Sequence, residues 1–190
     1  VLWWENTAPS WTARIASVGV PGAHGTVSGD FDRDGDLDLA AVSEAGDEVV
    51  WLDNQRVHGA FDYGDPVAFN DEPLGPDNFE LGDINGDGDL DVILGCDDSI
   101  DRATWMSNNA GDGSDWTWNI IGDSGLNGPR ATGGADFDQD GDMDVLMISA
   151  INDVYGWYEN LDGAGTSWSA RHAIRNGGPV DSARAARLAD

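Results

Sequence analysis

The sequence predicts an all-β fold, a β-propeller of four-stranded antiparallel blades, and three observations support this prediction. An acidic nonapeptide recurs at a constant interval of 53 residues. A Trp-x-x-Asn marker recurs with it in a fixed order. Apolar runs of strand length follow each acidic segment, and no segment has a helical period with caps. A period near 50 residues with four strands per unit is typical of propeller blades, and the 190 residues would hold about three and a half blades.

The acidic repeat is the strongest pattern in the chain. Its three complete copies begin at Asp30, Asp83 and Asp136, and each reads Asp-x-Asp/Asn-x-Asp-Gly-Asp-x-Asp. The final residue, Asp190, matches the first residue of a further copy. The Trp-x-x-Asn marker begins at Trp3, Trp51, Trp105 and Trp157. Two markers that recur together in fixed order make chance a poor explanation, so the repeat defines the structural unit.

Each unit predicts four short strands. The first strand precedes the acidic loop, and the second is the apolar run after it, whose length and continuity fit a strand covered on both faces. The third strand ends at the Trp-x-x-Asn marker, and the fourth follows a turn rich in Gly, Asn and Asp. The expected strands are residues 78–82 and 130–135 (first), 37–42, 90–94 and 143–148 (second), 153–158 (third), and 11–18, 116–121 and 168–174 (fourth).

These strands divide the chain into a single partial propeller. The expected units are residues 1–24, the last two strands of a preceding blade; 25–76, 77–129 and 130–178, three blades; and 179–190, the first strand of the next. A seven-bladed ring with this period needs about 370 residues. We therefore expect a segment of a longer propeller. The alternative is that copies of the chain associate through their open sheet edges as a structural tile in a filament or surface layer.

The acidic loops predict a metal site in each blade. Carboxylate or amide side chains stand at positions one, three, five and nine, glycine at six allows a sharp bend, and the residue at seven would offer its backbone carbonyl. Such oxygen ligands suit Ca²⁺, about three per chain, better than Mg²⁺, which demands a tight octahedron. The candidate metal residues are Asp30, Asp32, Asp34, Asp36 and Asp38; Asp83, Asn85, Asp87, Asp89 and Asp91; and Asp136, Asp138, Asp140, Asp142 and Asp144.

An EF-hand does not explain these loops. Its twelfth position would carry a bidentate Glu, but that position is Ala41, Leu94 or Met147, each within an apolar strand pattern. Ordinary polar turns are the other alternative, but four or five acidic residues in nine exceed what turn chemistry requires. Close carboxylates repel one another, so a bound cation would stabilise the loop and hold the two adjoining strands in register.

Charge excludes several classes of function. The chain has 36 Asp and Glu against nine Arg and no Lys, a formal net charge of −27. Phosphate backbones would be repelled, so nucleic-acid binding is excluded, and anionic membrane surfaces are disfavoured for the same reason. No apolar run approaches the roughly 20 residues of a membrane span, so we expect no membrane insertion.

The single Cys96 excludes an intramolecular disulfide and is expected to be a small buried residue.

The acidic loop between strands, together with blades that end in Trp3-Trp4-Glu5-Asn6 and Trp157-Tyr158-Glu159-Asn160, resembles the FG-GAP/VCBS repeat family. That family includes the Ca²⁺ loops of integrin α-subunit propellers and many secreted bacterial proteins. The resemblance implies a seven-bladed propeller, Ca²⁺ between the first and second strands of each blade, and an extracellular or cell-surface location. It does not identify a ligand, because one fold hosts many functions.

The function expected from this reading is binding or adhesion, without catalysis. A protein or glycan ligand would contact the variable loops at residues 55–65, 99–104 and 108–115, since loops on a rigid scaffold commonly carry contacts. The alternative is a polysaccharide-active, lyase-like enzyme on the same propeller, for which His24 is the only candidate residue. Trp51, Trp105 and Trp157 are expected to pack between blades, whereas Trp11, Trp116, Trp118 and Trp168 are candidates for a surface contact.

Overall fold

The computed structural model describes residues 1–17, 19–43, 45–55, 63, 65–69, 75–96, 102–122, 125–149, 151 and 153–176. This part of the chain contains fourteen β-strands and no helix. The strands are β1 (Leu2–Asn6), β2 (Trp11–Ile15), β3 (Ala23–Gly29), β4 (Asp38–Ser43), β5 (Glu48–Leu52), β6 (Val67–Ala68), β7 (Pro76–Gly82), β8 (Asp91–Cys96), β9 (Arg102–Asn108), β10 (Trp116–Gly122), β11 (Pro129–Ala135), β12 (Asp144–Ser149), β13 (Val154–Tyr158) and β14 (His172–Asn176). The all-β prediction is confirmed.

The strands form three four-stranded sheets and one two-stranded sheet. Within each four-stranded sheet the spatial order follows the chain order, β3 to β6, β7 to β10 and β11 to β14, and every neighbouring pair is antiparallel. The remaining strands, β1 and β2, pair as a hairpin. The first strands lie side by side, with β7 packed against both β3 and β11. This meander of repeated sheets is the blade architecture of a β-propeller.

The second strand of each blade is its most buried element. β8 and β12 are buried along their whole length, and β4 is buried at every residue except Leu39. Flanking strands cover their edges, and adjacent sheets cover their faces, which is why these segments read as continuous apolar runs. The residues at the twelfth loop position, Ala41, Leu94 and Met147, lie within these strands and have no exposed surface, so none of them is placed where an EF-hand would need a ligand.

The hydrophobic core lies between blades. Trp51 of the first complete blade shares a cluster with Val92 and Met106 of the second, and Trp105 shares a cluster with Val145 and Tyr158 of the third. Trp51 and Trp105 are 8% and 2% exposed, so their expected packing between blades is confirmed. Trp157 stacks on His172 of its own blade, and the unit that would follow it at 179–190 lies outside the described residues.

Three of the four outer tryptophans are partly buried. Trp116 packs on Phe69 and Phe31, with ring centroids 4.3 and 6.3 Å away, and Trp118 lies against the same cluster. Trp168 is partly buried against the cluster that contains Trp105. It forms an isolated β-bridge with Asn160, and strand β14 begins only at His172. Trp11, at 63% exposure, remains on the surface. The expected loop at 55–65 falls mostly, and the unit at 179–190 wholly, outside the described residues. Of the expected loop at 99–104, residues 99–101 lie outside them and residues 102–104 belong to strand β9.

Candidate metal centre

Each acidic loop connects the first and second strands of a blade and folds through bonds from its own backbone. The side chain at position three accepts a hydrogen bond from the backbone N–H at position five, and position five accepts one from position seven, because Asp and Asn favour such turns. These distances are 3.1 and 2.8 Å in the first loop, 3.0 and 2.8 Å in the second, and 3.2 and 3.0 Å in the third. One oxygen of each side chain therefore shapes the loop, and the second oxygen of each carboxylate is left for a cation, except that Asp87 Oδ2 accepts a hydrogen bond from Asn85 Nδ2.

The aspartate at position one is held in the same way in all three loops. Its Oδ2 accepts a hydrogen bond from the N–H of the glycine at position six, over 2.9 to 3.2 Å, in the pairs Asp30 with Gly35, Asp83 with Gly88, and Asp136 with Gly141. The other oxygen, Oδ1, is buried and has no hydrogen-bond partner in Asp30 and Asp83. A buried carboxylate oxygen without a partner is costly. A cation coordinated by this oxygen would remove the cost.

The aspartate at position nine joins the loop to the third strand. Asp91 has no exposed surface and accepts two backbone hydrogen bonds, from Ile84 N–H to Oδ2 and from Asn108 N–H to Oδ1, both 2.9 Å. Asp38 and Asp144 make the equivalent pairs of bonds in their blades, over 2.8 to 3.1 Å. This residue was predicted only as a metal ligand. It also fixes the register between the loop and the Trp-x-x-Asn marker.

Burial perturbs these carboxylates. Loss of solvent raises the pKa of Asp38 from 3.8 to about 6, and the nearby charge of Asp32 adds to the effect, against the hydrogen bonds from Asn54 and Phe31. Burial raises the pKa of Asp91 from 3.8 to about 7, with Asp87 and Asp83 adding to it.

Two more carboxyls shift in the same direction. Burial raises the pKa of Asp144, and the charges of Asp138 and Asp140 add to that effect. Burial also raises the pKa of Asp32, with the charges of Asp34, Asp53 and Asp30 contributing. These groups resist being charged together unless a cation is present.

The first and third loops bring three carboxylates within reach of one ion. Oxygens of Asp30, Asp32 and Asp38 lie within 4.8 Å of one another, as do those of Asp136, Asp138 and Asp144. The second loop forms no such acidic cluster among the described residues, because Asn85 takes the third position and its Nδ2 donates to Asp87 Oδ2 over 2.8 Å. Oxygen donors at these separations fit a hard cation such as Ca²⁺.

The third strand contributes a further side chain that the sequence analysis missed. Glu159 lies with Asp138 and Asp140 in a third group whose oxygens fall within 4.8 Å of one another. The equivalent residues are Asp53, whose charge acts on Asp32, and Ser107, whose Oγ lies 3.4 Å from Asn85 Nδ2. The signal was present in the sequence, since the residue before the Asn of every marker carries a side-chain oxygen.

The residue at position seven directs its side chain away from the expected ligand set. The carboxylate of Asp89 lies against Gly111, and that of Asp142 lies against Gly163, each at the turn after the third strand of its own blade. Asp89 Oδ1 also pairs with Arg33 Nη2 over 2.5 Å. Coordination by the backbone carbonyl at this position stays a prediction.

The marker asparagine connects neighbouring blades. Asn108 Nδ2 donates to the carbonyl oxygen of Phe31, over 3.0 Å, at position two of the preceding loop. Asn108 Oδ1 accepts from the N–H of Gly113 over 3.2 Å, which holds the next turn. Asn160 repeats both bonds, with Ile84 and Gly165. Each of these two asparagines therefore ties one acidic loop to the blade beside it.

The fold and the loops define a class: a repeat protein of four-stranded blades, with an acidic loop between the first and second strands. The FG-GAP-like repeat family matches the chain at residues 30–94 and again at 83–147. Each match begins at the first aspartate of one loop and ends within the second strand of the following blade. The chain therefore belongs to the FG-GAP-like repeat family. No curated protein matches it.

Membership carries some general properties. Propeller modules of this family are generally involved in binding rather than catalysis, and their repeats often bind Ca²⁺. Proteins with these repeats are often extracellular. No helix long and apolar enough to cross a membrane occurs in the part of the chain described above.

Proposed function

We propose that this chain is a calcium-stabilised propeller module of a secreted or cell-surface protein, which binds a protein or glycan ligand through its blade loops without catalysing a reaction. The observation that carries the calcium role is the buried, unpartnered Oδ1 of Asp30 and of Asp83 beside desolvated aspartates at position nine. Bound Ca²⁺ would supply the positive charge that satisfies these oxygens.

The side chains at positions one, three, five and nine would hold one ion in each loop, with the carbonyl at position seven. Glu159 and Asp53 would add a carboxylate from the third strand to the third and first sites. Since the ninth residue also fixes the marker asparagine, order in a loop is transmitted to the third strand of its own blade. Metal binding would therefore supply folding free energy.

The binding role is supported by the rigidity of this scaffold. The turn at 108–115 is closed by Asn109 N–H bonding to Asp115 O over 2.9 Å, and by Trp116 Nε1 bonding to Gly113 O over 2.8 Å. A ligand that meets such a turn would pay little ordering entropy. The acidic surface would favour a partner with complementary positive charge.

Calorimetric titration with Ca²⁺ and thermal unfolding with and without a chelator test the calcium role. We expect about three ions per chain and a large loss of melting temperature on chelation. Asp30→Asn keeps the bond from Gly35 but removes one charge, so it should weaken one site and lower the melting temperature. Asp112→Asn, in an exposed turn, is the matched control and should change neither. An absence of binding in the wild-type chain would refute the calcium role.

A glycan array and an extracellular protein array, each probed with calcium-loaded chain, test the ligand role. Retention of a specific glycan or protein, lost on chelation, is the expected result. Turnover of a polysaccharide would contradict the non-catalytic assignment, and concentration-dependent assembly without any retained ligand would favour a structural tile instead.

A further inference from the structure

We propose that the cleft between the second and third acidic loops binds an arginine side chain presented by a partner protein. The cleft has a volume of about 280 Å³ and is lined by Asp83, Gly86, Asp136, Gly141, Asp142 and Gly163. The proposal deepens the binding function proposed above, on which it rests, because it names one chemical group that a partner would present.

The chain itself contains a filled version of this cleft one blade earlier. There Arg33, at position four of the first loop, reaches across to the second loop and pairs with Asp89 at position seven. Its Nη2 lies 2.5 Å from Asp89 Oδ1, and that oxygen accepts no hydrogen bond from the other described residues. The same nitrogen lies 2.9 Å from the place that a Cβ would occupy at Gly88. The guanidinium therefore covers the glycine bend of the second loop.

The next pair of loops lacks this cation. Position four of the second loop is Gly86, and its φ of 72° matches the 61° of Arg33, so the backbone has the same left-handed form. A Cβ at Gly86 would meet only Gly163 O, at 3.7 Å. Above Gly141, the equivalent of Gly88, nothing lies within 4 Å of such a Cβ. The space that a guanidinium fills in one cleft is open in the other.

The anion that would receive the guanidinium is present in both clefts. A Cβ built at Gly111 would lie 2.5 Å from Asp89 Oδ2, and one built at Gly163 would lie 2.6 Å from Asp142 Oδ1, so both carboxylates occupy equivalent places. None of the ion pairs among the described residues involves Asp142. Its side chain is also outside the proposed calcium ligand set, so it stays available when metal is bound.

The chemistry of the cleft favours arginine over a bare cation. The partly buried Met143 gives the cleft an apolar surface that suits the methylene stem. A planar guanidinium can meet a carboxylate with two parallel N–H groups, which an ammonium cannot. The net charge of −27 would attract a basic partner from a distance. Free arginine carries its own carboxylate, which the acidic cleft would repel, so an arginine within a protein is the better fit.

Amide NMR spectra of the calcium-loaded chain at 0.15 M salt test this proposal, with acetyl-Gly-Arg-Gly-amide as the probe. The amides of Gly86, Gly141 and Gly163 should shift and saturate together. The same peptide with citrulline in place of arginine is neutral and nearly isosteric, and it should bind at least tenfold more weakly than the arginine peptide. Free L-arginine should also bind more weakly than the arginine peptide. Asp142→Asn should abolish the shifts. Equal shifts from both peptides, or shifts that persist in Asp142→Asn, would overturn the proposal.

Three variants provide a test that does not depend on Asp142. Gly86→Arg should fill the cleft from within and eliminate peptide binding, whereas Gly86→Ala, with the same backbone strain and no guanidinium, should retain it. Arg33→Ala should open the first cleft and add new shifts at Gly88 and Gly111. A calcium titration of the same samples separates the calcium role from the arginine site. Loss of calcium binding with retained peptide shifts would refute only the calcium role. Peptide binding unchanged in Gly86→Arg would overturn the arginine site.

Discussion

The side-chain amide of Asn160 donates a hydrogen bond to the carbonyl oxygen of Ile84, 2.9 Å away and 76 residues earlier in the chain. Asn160 closes the third strand of one blade, and Ile84 lies in the acidic loop of the blade before it. The backbone N–H of Asn160 meanwhile donates to Asp144 of its own loop. One fully buried residue thus connects two candidate metal sites.

Removal of this connection should destabilise the propeller. We expect Asn108→Ala and Asn160→Ala each to lower the free energy of unfolding by about 2–4 kcal/mol, because each leaves buried backbone groups unpaired at two places. Asn54→Ala should cost less, since among the described residues Asn54 Nδ2 bonds only Leu37 of its own blade and its Oδ1 has no partner. Urea unfolding measures the differences. Asn119→Ala, which loses one exposed local bond, is the control and should stay within about 0.5 kcal/mol of wild type.

The third-strand carboxylates should strengthen individual calcium sites. Glu159→Gln should weaken one of three sites by several-fold without changing the fold, because a charged ligand is lost while the size of the side chain is kept. Asp53→Asn should have the same effect on the first site. Glu5 occupies the equivalent marker position in the β1–β2 hairpin and pairs with Arg14. Because no acidic loop is described in that sheet, the control variant Glu5→Gln should leave calcium binding unchanged.

Isothermal titration of the wild-type chain and the three variants with Ca²⁺ measures these effects. Equal affinities for Glu159→Gln and Glu5→Gln would mean that Glu159 serves only its contact with His172, whose Nε2 lies 3.3 Å from the Glu159 carboxylate. A loss in the third site alone would separate the ligand role from that contact.

The sequence predicted the loops and strands because their signals are local. A fixed nonapeptide and an apolar run of six residues specify a turn and a buried strand with little help from the rest of the chain. The contribution of Glu159 and the bond from Asn160 to Ile84 depend on which strands become neighbours across the sheet and between blades. Such long-range pairings are not encoded in any one segment, and for the same reason the packing of Trp116 on Phe69 was not predicted.

Calcium affinity should rise with pH across the range in which the buried aspartates ionise. Burial raises the pKa of Asp38 to about 6 and of Asp91 to about 7 in the folded chain without metal, against 3.8 ordinarily. The folded state then binds more protons than the unfolded state between about pH 4 and 7, so the stability of the metal-free chain falls as pH rises through this window. Calcium competes with those protons, so the melting temperature gained from calcium should be larger at pH 7.5 than at pH 5.

Carboxyl carbon NMR shifts of metal-free protein provide the direct measurement for this prediction. Asp38 and Asp91 should titrate well above the exposed Asp112, whose pKa is lowered by hydrogen bonds from Ser114. If all three titrated near pH 4, burial would not control the loop carboxylates, and the expected pH dependence of calcium binding would be absent.

Gly113 and Gly165, in the turns that follow two of the markers, should be intolerant of a side chain because a tryptophan of the preceding blade fills the space above each of them. A Cβ at Gly165 would lie 2.5 Å from a ring carbon of Trp105 and 3.0 Å from Ile84, at a φ of +66°. Gly165→Ala should therefore cost about 1–2 kcal/mol for the left-handed backbone and a further 1–3 kcal/mol or so for overpacking. Gly125→Ala has a nearly equal φ of +72° and nothing within 4 Å, so it should show the backbone cost alone. Chemical denaturation of both variants measures this difference. Equal losses in the free energy of unfolding would mean that Trp105 moves aside for the added methyl group without cost.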